Sequence, residues 1–109
     1  MENCVFCKIV AGDIPSNKVY EDNQVIAFLD IHPKGPGHTL VIPKEHYRWF
    51  EEMPEDLYTH VFKVVRDLSI KMKQGGADHV QVGIVGKDVP HVHVHLIPRQ
   101  PGQRAASDL

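Results

Sequence analysis

Apolar side chains recur along residues 54–73 with the period of an amphipathic helix. Spacings of three, four and seven residues place them on one helical face, and they are Leu57, Val61, Val64, Val65, Leu68 and Met72. Pro54 suits the first position of a helix, and the acidic side chains that follow it suit the positive end of the helix dipole. Two glycines at positions 75 and 76 end the pattern, so we predict one long helix between these limits.

Shorter apolar runs bounded by turn residues predict about five β-strands. They cover residues 18–21, 24–29, 39–42, 80–85 and 91–97. Residues 4–10 predict a helical turn, residues 30–38 a loop, and residues 44–52 the start of a short helix. Hairpin-like spacing around one long and one short helix favours an antiparallel α+β domain. We expect this single domain to span residues 1–109, with an irregular tail from about residue 100.

Composition excludes several broad classes of protein. A length of 109 residues suits one domain, and 42% apolar with 24% charged residues is ordinary for a globular chain, not a disordered one. No apolar run approaches the roughly 18 residues of a membrane helix, and the N-terminus lacks the pattern of a signal peptide. We therefore expect a cytoplasmic location and no membrane contact. The net charge of −2 argues against nucleic-acid binding, which needs a basic surface.

Three imidazoles alternate with apolar side chains just before the tail. In an extended chain His91, His93 and His95 share one face, about 6.6 Å apart, and Val92 and Val94 share the other with Leu96. We expect the apolar face to pack on the long helix and the imidazoles to line a surface or cleft. Three readings stay open on the residues alone: a solvated face, a metal site, or a catalytic imidazole.

Histidine suits phosphoryl chemistry because neutral imidazole is a good nucleophile near pH 7. Its second ring nitrogen must then keep a proton and donate it, often to a backbone carbonyl. The sequence has neither a Walker glycine loop nor a paired acidic metal site. Imidazole chemistry is therefore the available route to phosphorus.

The only two cysteines, Cys4 and Cys7, form a C-x-x-C pair. In a cytosolic chain such a pair indicates metal or redox chemistry before a structural disulfide. A closed zinc site needs two further ligands, and the candidates are His32, His38, His46 and His91. A pair of reduced thiols without metal is the simplest alternative. A redox pair lacks the βαβ context that its motif requires.

The segment HVHVHLI resembles the histidine-triad motif, and FLDIHPKGPGHTLVIPKEH upstream is similar to the HINT-like branch of that family. The resemblance covers residues 4–99. It implies a HIT-like α+β fold that forms homodimers, in which a strand of each protomer meets the other to make one continuous sheet. It also implies binding of an AMP-like purine nucleotide and hydrolysis of purine nucleoside 5′-monophosphate derivatives such as phosphoramidates and acyl-adenylates. Two alternatives stay open: a dinucleoside polyphosphate hydrolase or nucleotidyl transferase, and a non-catalytic, zinc-stabilised nucleotide-binding protein.

The resemblance also implies roles for single residues. His93 would be the nucleophile that carries the nucleotidyl group, His95 would contact the phosphate and leaving group, and His91 would orient the site. Asp30 would hold the ribose, although an acid at this place could also simply cap the loop. The base would be enclosed by Phe28, Leu29 and Ile31. A structural zinc ion would be held by Cys4, Cys7, His46 and His91.

The stretch before the triad departs from the family pattern. It is short, contains no Asn, and places Asp88 and Val89 where the phosphate would bind. A carboxylate beside a phosphate is repulsive unless it is protonated or offset by a cation, for which Lys87 is available. Alternatively, Asp88 points away and backbone amides of residues 86–89 hold the phosphate.

Four residues outside these motifs carry simpler expectations. We expect His60 to be solvent-exposed on the long helix. Trp49, with Phe50 beside it, is expected to anchor the short helix to the core. For His38 we expect a structural hydrogen bond.

Overall fold

A computed structural model of the protein describes residues 4–86 and 88–106. Within them five strands form one antiparallel sheet in the order β1-β2-β3-β5-β4. The strands are β1 (Lys18–Glu21), β2 (Val25–Leu29), β3 (Thr39–Pro43), β4 (His79–Gly83) and β5 (Val94–Arg99). This sheet confirms the predicted antiparallel α+β fold. Lys87, considered above as the cation that could offset Asp88, lies outside the described residues.

Two helices flank the sheet, a short α1 (Val5–Ala11) and a long α2 (Glu55–Gln74). The sulfur of Cys4 caps α1 by accepting the amide N–H of Cys7 at 3.3 Å. Gly12 ends α1 with a φ of 84°, a left-handed conformation that favours glycine. The predicted limits of the long helix agree with α2 to within one or two residues.

The helix predicted over residues 44–52 is wrong except for one 3-10 turn at Phe50–Glu52. Trp49 and Phe50 are 41% and 42% exposed, so they do not anchor this segment in the core as expected. The Trp49 ring instead stacks under the Arg48 guanidinium, whose carbon lies 3.9 Å from the ring centroid. Because these two rings stay largely exposed, a longer helix here would gain little from tertiary packing.

Each face of the sheet buries its own apolar cluster. The buried face of α2 packs with apolar residues of the sheet and of the segment that leads into β5, namely Val25, Ala27, Val41, Val92, Val94 and Leu96. On the opposite face α1 packs with Ile26, Phe28, Leu40 and Ile42. Because side chains alternate across a strand, the apolar side of the triad faces α2, as predicted. The three histidines are therefore directed to the face that carries α1.

The triad is extended, but only its last histidine lies in a strand. β5 begins at Val94, not at His91 as predicted. The amide of His91 donates to the carbonyl of Val89 at 2.8 Å, and the amide of Val92 donates to the carbonyl of Tyr47 at 2.8 Å. Before Val94 these bonds take the place of hydrogen bonds to a neighbouring strand. The side chains nevertheless continue to alternate between the two faces of the sheet.

A half-buried carboxylate, that of Asp22, connects the β1–β2 turn to α2. Asp22 Oδ2 accepts hydrogen bonds from the Tyr20 hydroxyl and from His60 Nε2, both at 2.6 Å. Its Oδ1 accepts the amides of Gln24 and Val25, both at 2.8 Å. His60 is thus a half-buried partner of Asp22, and the expectation that it is solvent-exposed is wrong. Burial alone would raise the pKa of Asp22, but these four donors outweigh it and hold the pKa well below its usual range.

Replacing Asp22 with alanine is expected to lower the free energy of unfolding by about 2–3 kcal/mol, because four donors lose their acceptor. The matched control is Asp78→Ala: Asp78 also pairs with a histidine, His79, but both side chains are about half exposed. We expect that control to cost less than about 0.5 kcal/mol. Urea denaturation of both variants at neutral pH measures the difference.

Measuring the stability of wild type and of Asp22→Ala at different pH values gives a second test, whose sign is defined. A carboxylate whose pKa is depressed by folding stabilises the protein above its unfolded pKa, about 4, and loses that contribution as pH falls toward its folded pKa. The gap between wild type and Asp22→Ala should therefore be constant near neutrality and shrink below about pH 4. A stability difference that is constant down to acid pH would contradict the role of the ionised Asp22 carboxylate as the acceptor of these four hydrogen bonds.

Among the described residues, neither helix has both the length and the apolar content that crossing a bilayer requires.

Candidate active site

An open cavity of about 380 Å³ lies between α1, the loop of residues 30–38 and the triad. Its volume falls in the range of small-molecule sites. Eight of the sequence-predicted site residues line it: Phe28, Leu29, Asp30, Ile31, Asp88, Val89, His93 and His95. His91 does not line the cavity but lies in the metal-ligand cluster described below.

His93 is held in one tautomer by a backbone acceptor. Its Nδ1 lies 2.8 Å from the carbonyl oxygen of His91, and because a carbonyl can only accept, Nδ1 carries the proton. In the neutral ring the free lone pair is therefore on Nε2. Phe6 of α1 packs edge-on against the His93 ring, with centroids 5.1 Å apart. A buried imidazole with a fixed ring and an unprotonated Nε2 has the arrangement that a nucleophile needs.

A second tautomer is set through a chain of hydrogen bonds that ends at His95. The backbone N–H of Lys34 donates to His38 Nδ1 at 3.0 Å, so neutral His38 carries its proton on Nε2. That nitrogen lies 2.9 Å from His95 Nδ1 and donates to it. Neutral His95 is consequently protonated on Nε2. This N–H is buried beside the cavity and has no hydrogen-bond partner among the described residues.

Burial keeps His38 and His95 neutral. Burial first, and then the charges that His93 and His38 would carry, lower the pKa of His95 to about 4 against the opposing charges of Asp30 and Asp88. Burial, Arg99 and Lys34 lower the pKa of His38, again against Asp30. At neutral pH both rings therefore act as neutral donors and acceptors, which makes the tautomer chain fixed.

Asp30 caps the loop, the simpler of the two roles considered for it, and also lines the cavity. Its Oδ1 accepts the amide of His32 at 2.9 Å, which caps the loop, while Oδ2 lies 3.6 Å from His38 Nε2. The neighbouring apolar residues differ in burial: Phe28 is buried against Phe6, with ring centroids 5.6 Å apart, whereas Ile31 is 82% exposed at the rim. Asp88 is exposed at the opposite rim.

Four potential metal ligands meet where α1 approaches the start of the triad. The ligand atoms of Cys4, Cys7, His46 and His91 all lie within 4.8 Å of one another. Cys4 Sγ lies 3.3 Å and Cys7 Sγ lies 3.5 Å from His91 Nδ1, and Cys7 Sγ lies 3.2 Å from His46 Nδ1. A tetrahedral zinc ion with bonds of about 2.0–2.3 Å separates its ligand atoms by roughly 3.3–3.8 Å, so this donor set fits zinc.

The second nitrogen of His91 supports the same assignment. Nε2 donates to the carbonyl oxygen of Pro43 at 2.8 Å, which leaves Nδ1 free to bind a metal. Burial, above all, lowers the pKa of His91 to about 4, so its ring is neutral. Burial and the hydrogen bond with Cys4 raise the pKa of the Cys7 thiol to about 11. A divalent cation bound among these ligands would supply the positive charge that lets both thiols ionise.

Sequence reasoning underestimated His38 and omitted Phe6. The structural hydrogen bond expected for His38 is made to His95, which places His38 inside the site. The signal was the register of two predicted strands: Leu40 pairs with His95, and His38 lies two residues before Leu40. Phe6 could be found only by knowing that α1 packs across the sheet onto His93.

This fold and this site define a class of small α+β proteins with a histidine-lined cavity. The family model for the HIT domain matches residues 11–102, so the chain belongs to the HIT family. An uncharacterized HIT-like protein of Methanocaldococcus jannaschii is 46% identical over 104 residues, covering 91% of this chain and 81% of that protein.

Two further proteins extend the comparison: one is a relative with a named activity, and the other is a relative whose structure has been solved. Adenosine 5′-monophosphoramidase HNT1 of Saccharomyces cerevisiae is 38% identical over 99 residues, covering 89% of this chain and 63% of the yeast protein. The crystal structure of a zinc-bound histidine triad family protein from Mycobacterium smegmatis is 33% identical with a TM-score of 0.90, covering 97% of this chain and 81% of that one. The family and these relatives support a hydrolase activity in general.

Proposed function

We propose that this protein hydrolyses derivatives of purine nucleoside 5′-monophosphates, phosphoramidates and acyl-adenylates among them, through a nucleotidyl intermediate on His93. The observation that carries the proposal is the fixed tautomer of His93, which in the neutral ring leaves the lone pair on Nε2; both His93 and His95 line the cavity, and the Nε2–H of His95 has no partner among the described residues. The phosphoramidase named among the relatives supports the substrate class.

The chemistry then proceeds in two displacements. His93 Nε2 attacks the α-phosphorus, the bond from phosphorus to the leaving nitrogen breaks, and the amine leaves with a proton taken from solvent. His95 Nε2–H donates to the phosphoryl oxygens or the leaving nitrogen and so stabilises the negative charge that develops there. Water then attacks the phosphorus, the bond to His93 breaks, and the nucleoside monophosphate is released with one proton. The hydrogen bond from His93 Nδ1 to the His91 carbonyl stabilises the positive ring of the intermediate.

Binding residues follow from the walls of the cavity. Asp30 accepts the ribose hydroxyls through the carboxylate oxygen that does not cap the loop. Phe28 forms the buried wall of the base site, and Leu29 and Ile31 form its rim. Backbone amides near Val89 hold the phosphate, and the exposed carboxylate of Asp88 lies at the rim of the cavity.

The proposal includes a structural zinc ion, a homodimer and a cytoplasmic location. Zinc is held by the four clustered ligands and stabilises the contact between α1 and the triad. The dimer forms along β4, an edge strand whose Val82 is half exposed, because unpaired strand edges are ready to pair. The cavity serves a small nucleotide, and neither nucleic acid nor a membrane is a partner.

Trapping the intermediate tests the mechanism directly. Wild-type protein is mixed with a fluorogenic adenosine phosphoramidate, quenched in base within one turnover, and analysed by intact mass and by peptide mapping. We expect one adenylyl group per chain, on His93, together with release of the fluorophore. Turnover without any label at early times would contradict the covalent mechanism. A dinucleoside polyphosphate at the same concentration serves as comparison, and faster cleavage of it would overturn the substrate class.

A further inference from the structure

Arg99, the last residue of β5, is a buried cation at the base of the loop of residues 30–38. Only 7% of it is exposed, and among residues 4–86 and 88–106 no carboxylate forms an ion pair with it. Burying an unpaired charge is costly, so a residue of this kind needs a reason to be retained. Its contacts supply one, because one of them leads to the loop that carries His38 and the other leads to the C-terminal segment.

One arm of the guanidinium holds the loop. Arg99 Nη1 donates to the carbonyl oxygen of Lys34 at 3.2 Å. The backbone on either side of that carbonyl contacts His38: the Lys34 amide donates to His38 Nδ1, and the Gly35 carbonyl accepts the His38 amide at 3.2 Å. Arg99 therefore holds the turn that selects the tautomer of His38.

The loop is built to admit this arginine. A Cβ at Gly35 would lie 3.1 Å from Arg99 Nη1 and 3.4 Å from Ile97 Cγ2. Gly37, with a φ of 81°, lies against Pro98 in the same way, since a Cβ there would lie 3.2 Å from Pro98 Cγ. Two glycines thus let the loop lie directly on the end of β5.

The other arm holds the C-terminal segment. Arg99 Nη2 donates to Gln81 Oε1 at 3.3 Å. The same Gln81 amide clamps the peptide of Ala106, accepting from its N–H and donating to its carbonyl, both at 2.8 Å. The predicted irregular tail is therefore attached to β4 as far as Ala106. A continuous polar chain runs from that segment through Gln81 and Arg99 to the loop, His38 and His95.

We propose that Arg99 is a positioning residue: it holds the Lys34 carbonyl so that the Lys34 amide keeps His38 protonated on Nε2 and His95 directs its own Nε2–H into the cavity. Gln81 and the docked C-terminal segment hold Arg99 in turn. The tautomer chain stands on the geometry alone, whereas the effect on turnover rests on the proposed function.

The test replaces Arg99 with methionine, which keeps the length of the stem but removes the donors. Long-range ¹⁵N–¹H NMR of histidine-labelled protein reports which ring nitrogen of His38 and His95 carries the proton. In wild type we expect both rings protonated on Nε2, and in Arg99→Met a mixture of tautomers at both. The matched control is Arg66→Met on the exposed face of α2, which should leave the histidine spectrum unchanged.

Kinetics separate positioning from general loss of structure. With an adenosine phosphoramidate, kcat of Arg99→Met should fall about tenfold with KM within about twofold, because donor alignment is lost while the cavity walls remain. The loss should be larger for a poor alkylamine leaving group than for a good arylamine one. Arg99→Lys, which keeps one donor, should recover part of kcat, and Gln81→Leu should reduce it in the same direction by a smaller factor.

The outcomes distinguish the two proposals. A wild type that turns over the phosphoramidate, with Arg99→Met unchanged in both tautomers and kcat, overturns the positioning role and leaves the function intact. A tautomer shift in Arg99→Met with no turnover in wild type supports the positioning role and overturns the function. If Arg99→Met does not fold, Gln81→Leu decides: unchanged His38 and His95 tautomers and an unchanged kcat in that variant overturn the positioning chain.

Discussion

Replacing His93 with alanine is expected to abolish turnover of an adenosine phosphoramidate while leaving AMP binding almost unchanged. The substitution removes the cavity-lining imidazole whose Nδ1 proton is fixed by the His91 carbonyl. Loss of a nucleophile typically lowers kcat by about 10⁴-fold or more. The walls formed by Phe28 and Asp30 remain, so the Kd for AMP should change by less than about fivefold. Stopped-flow kinetics and calorimetric titration measure the two quantities.

The matched control for this prediction is His79→Ala. His79 begins β4, is about half exposed, and contacts Asp78 rather than the cavity, so kcat should stay within about twofold of wild type. A residual activity of His93→Ala above about one hundredth of wild type would show that water can attack the substrate directly. In that case the covalent mechanism is wrong, whatever the affinity for AMP.

Removing the metal is expected to lower the melting temperature by roughly 15 °C. Zinc would join α1 to His91 and to the loop that carries His46, and α1 itself is only seven residues long. Loss of a structural metal typically costs about 3 kcal/mol or more, and 1 kcal/mol corresponds to about 4–8 °C in a domain of this size. Metal analysis of the purified protein should find about one zinc per chain. Thermal melts before and after treatment with a strong chelator measure the effect.

Two histidine variants make this prediction specific. His46→Ala should lose zinc and melt near the temperature of the chelated protein, with no recovery when zinc is added back. His32→Ala, at an exposed histidine outside the cluster, should keep both its zinc and its melting temperature. Protein that binds no zinc and is indifferent to the chelator would contradict the metal assignment without affecting the prediction for His93.

Local patterns in the sequence determined the long helix and most of the strands. The apolar spacing of α2 is a property of about twenty consecutive residues, and tertiary packing did not alter it. The same holds for the alternation around His93, which survives even where the backbone leaves the sheet at His91 and Val92. By contrast, Trp49 and Phe50 were expected to anchor a short helix in the core, but both side chains stay about two-fifths exposed.

The metal ligands show where sequence reasoning from the residues alone stopped. The C-x-x-C pair allowed four histidines as partners, and only the family resemblance selected His46 and His91. The fold brings those two to the cysteines across 39 to 87 residues of chain. It places His38 against His95 instead, where the two rings are hydrogen-bonded. Such choices depend on which strands pair and on which face of the sheet α1 packs.

By itself, the sequence determined the fold class, the long helix and the triad of histidines, because periodicity and short motifs act over a few consecutive residues. Only the tertiary structure decided the proton positions on His93 and His95, the inclusion of His38 and the place of Arg99. Each of these depends on hydrogen bonds to backbone groups of other elements, such as the Lys34 amide and the Lys34 carbonyl. Every sequence offers such groups at every residue, so only the packed backbone determines which of them meet a side chain.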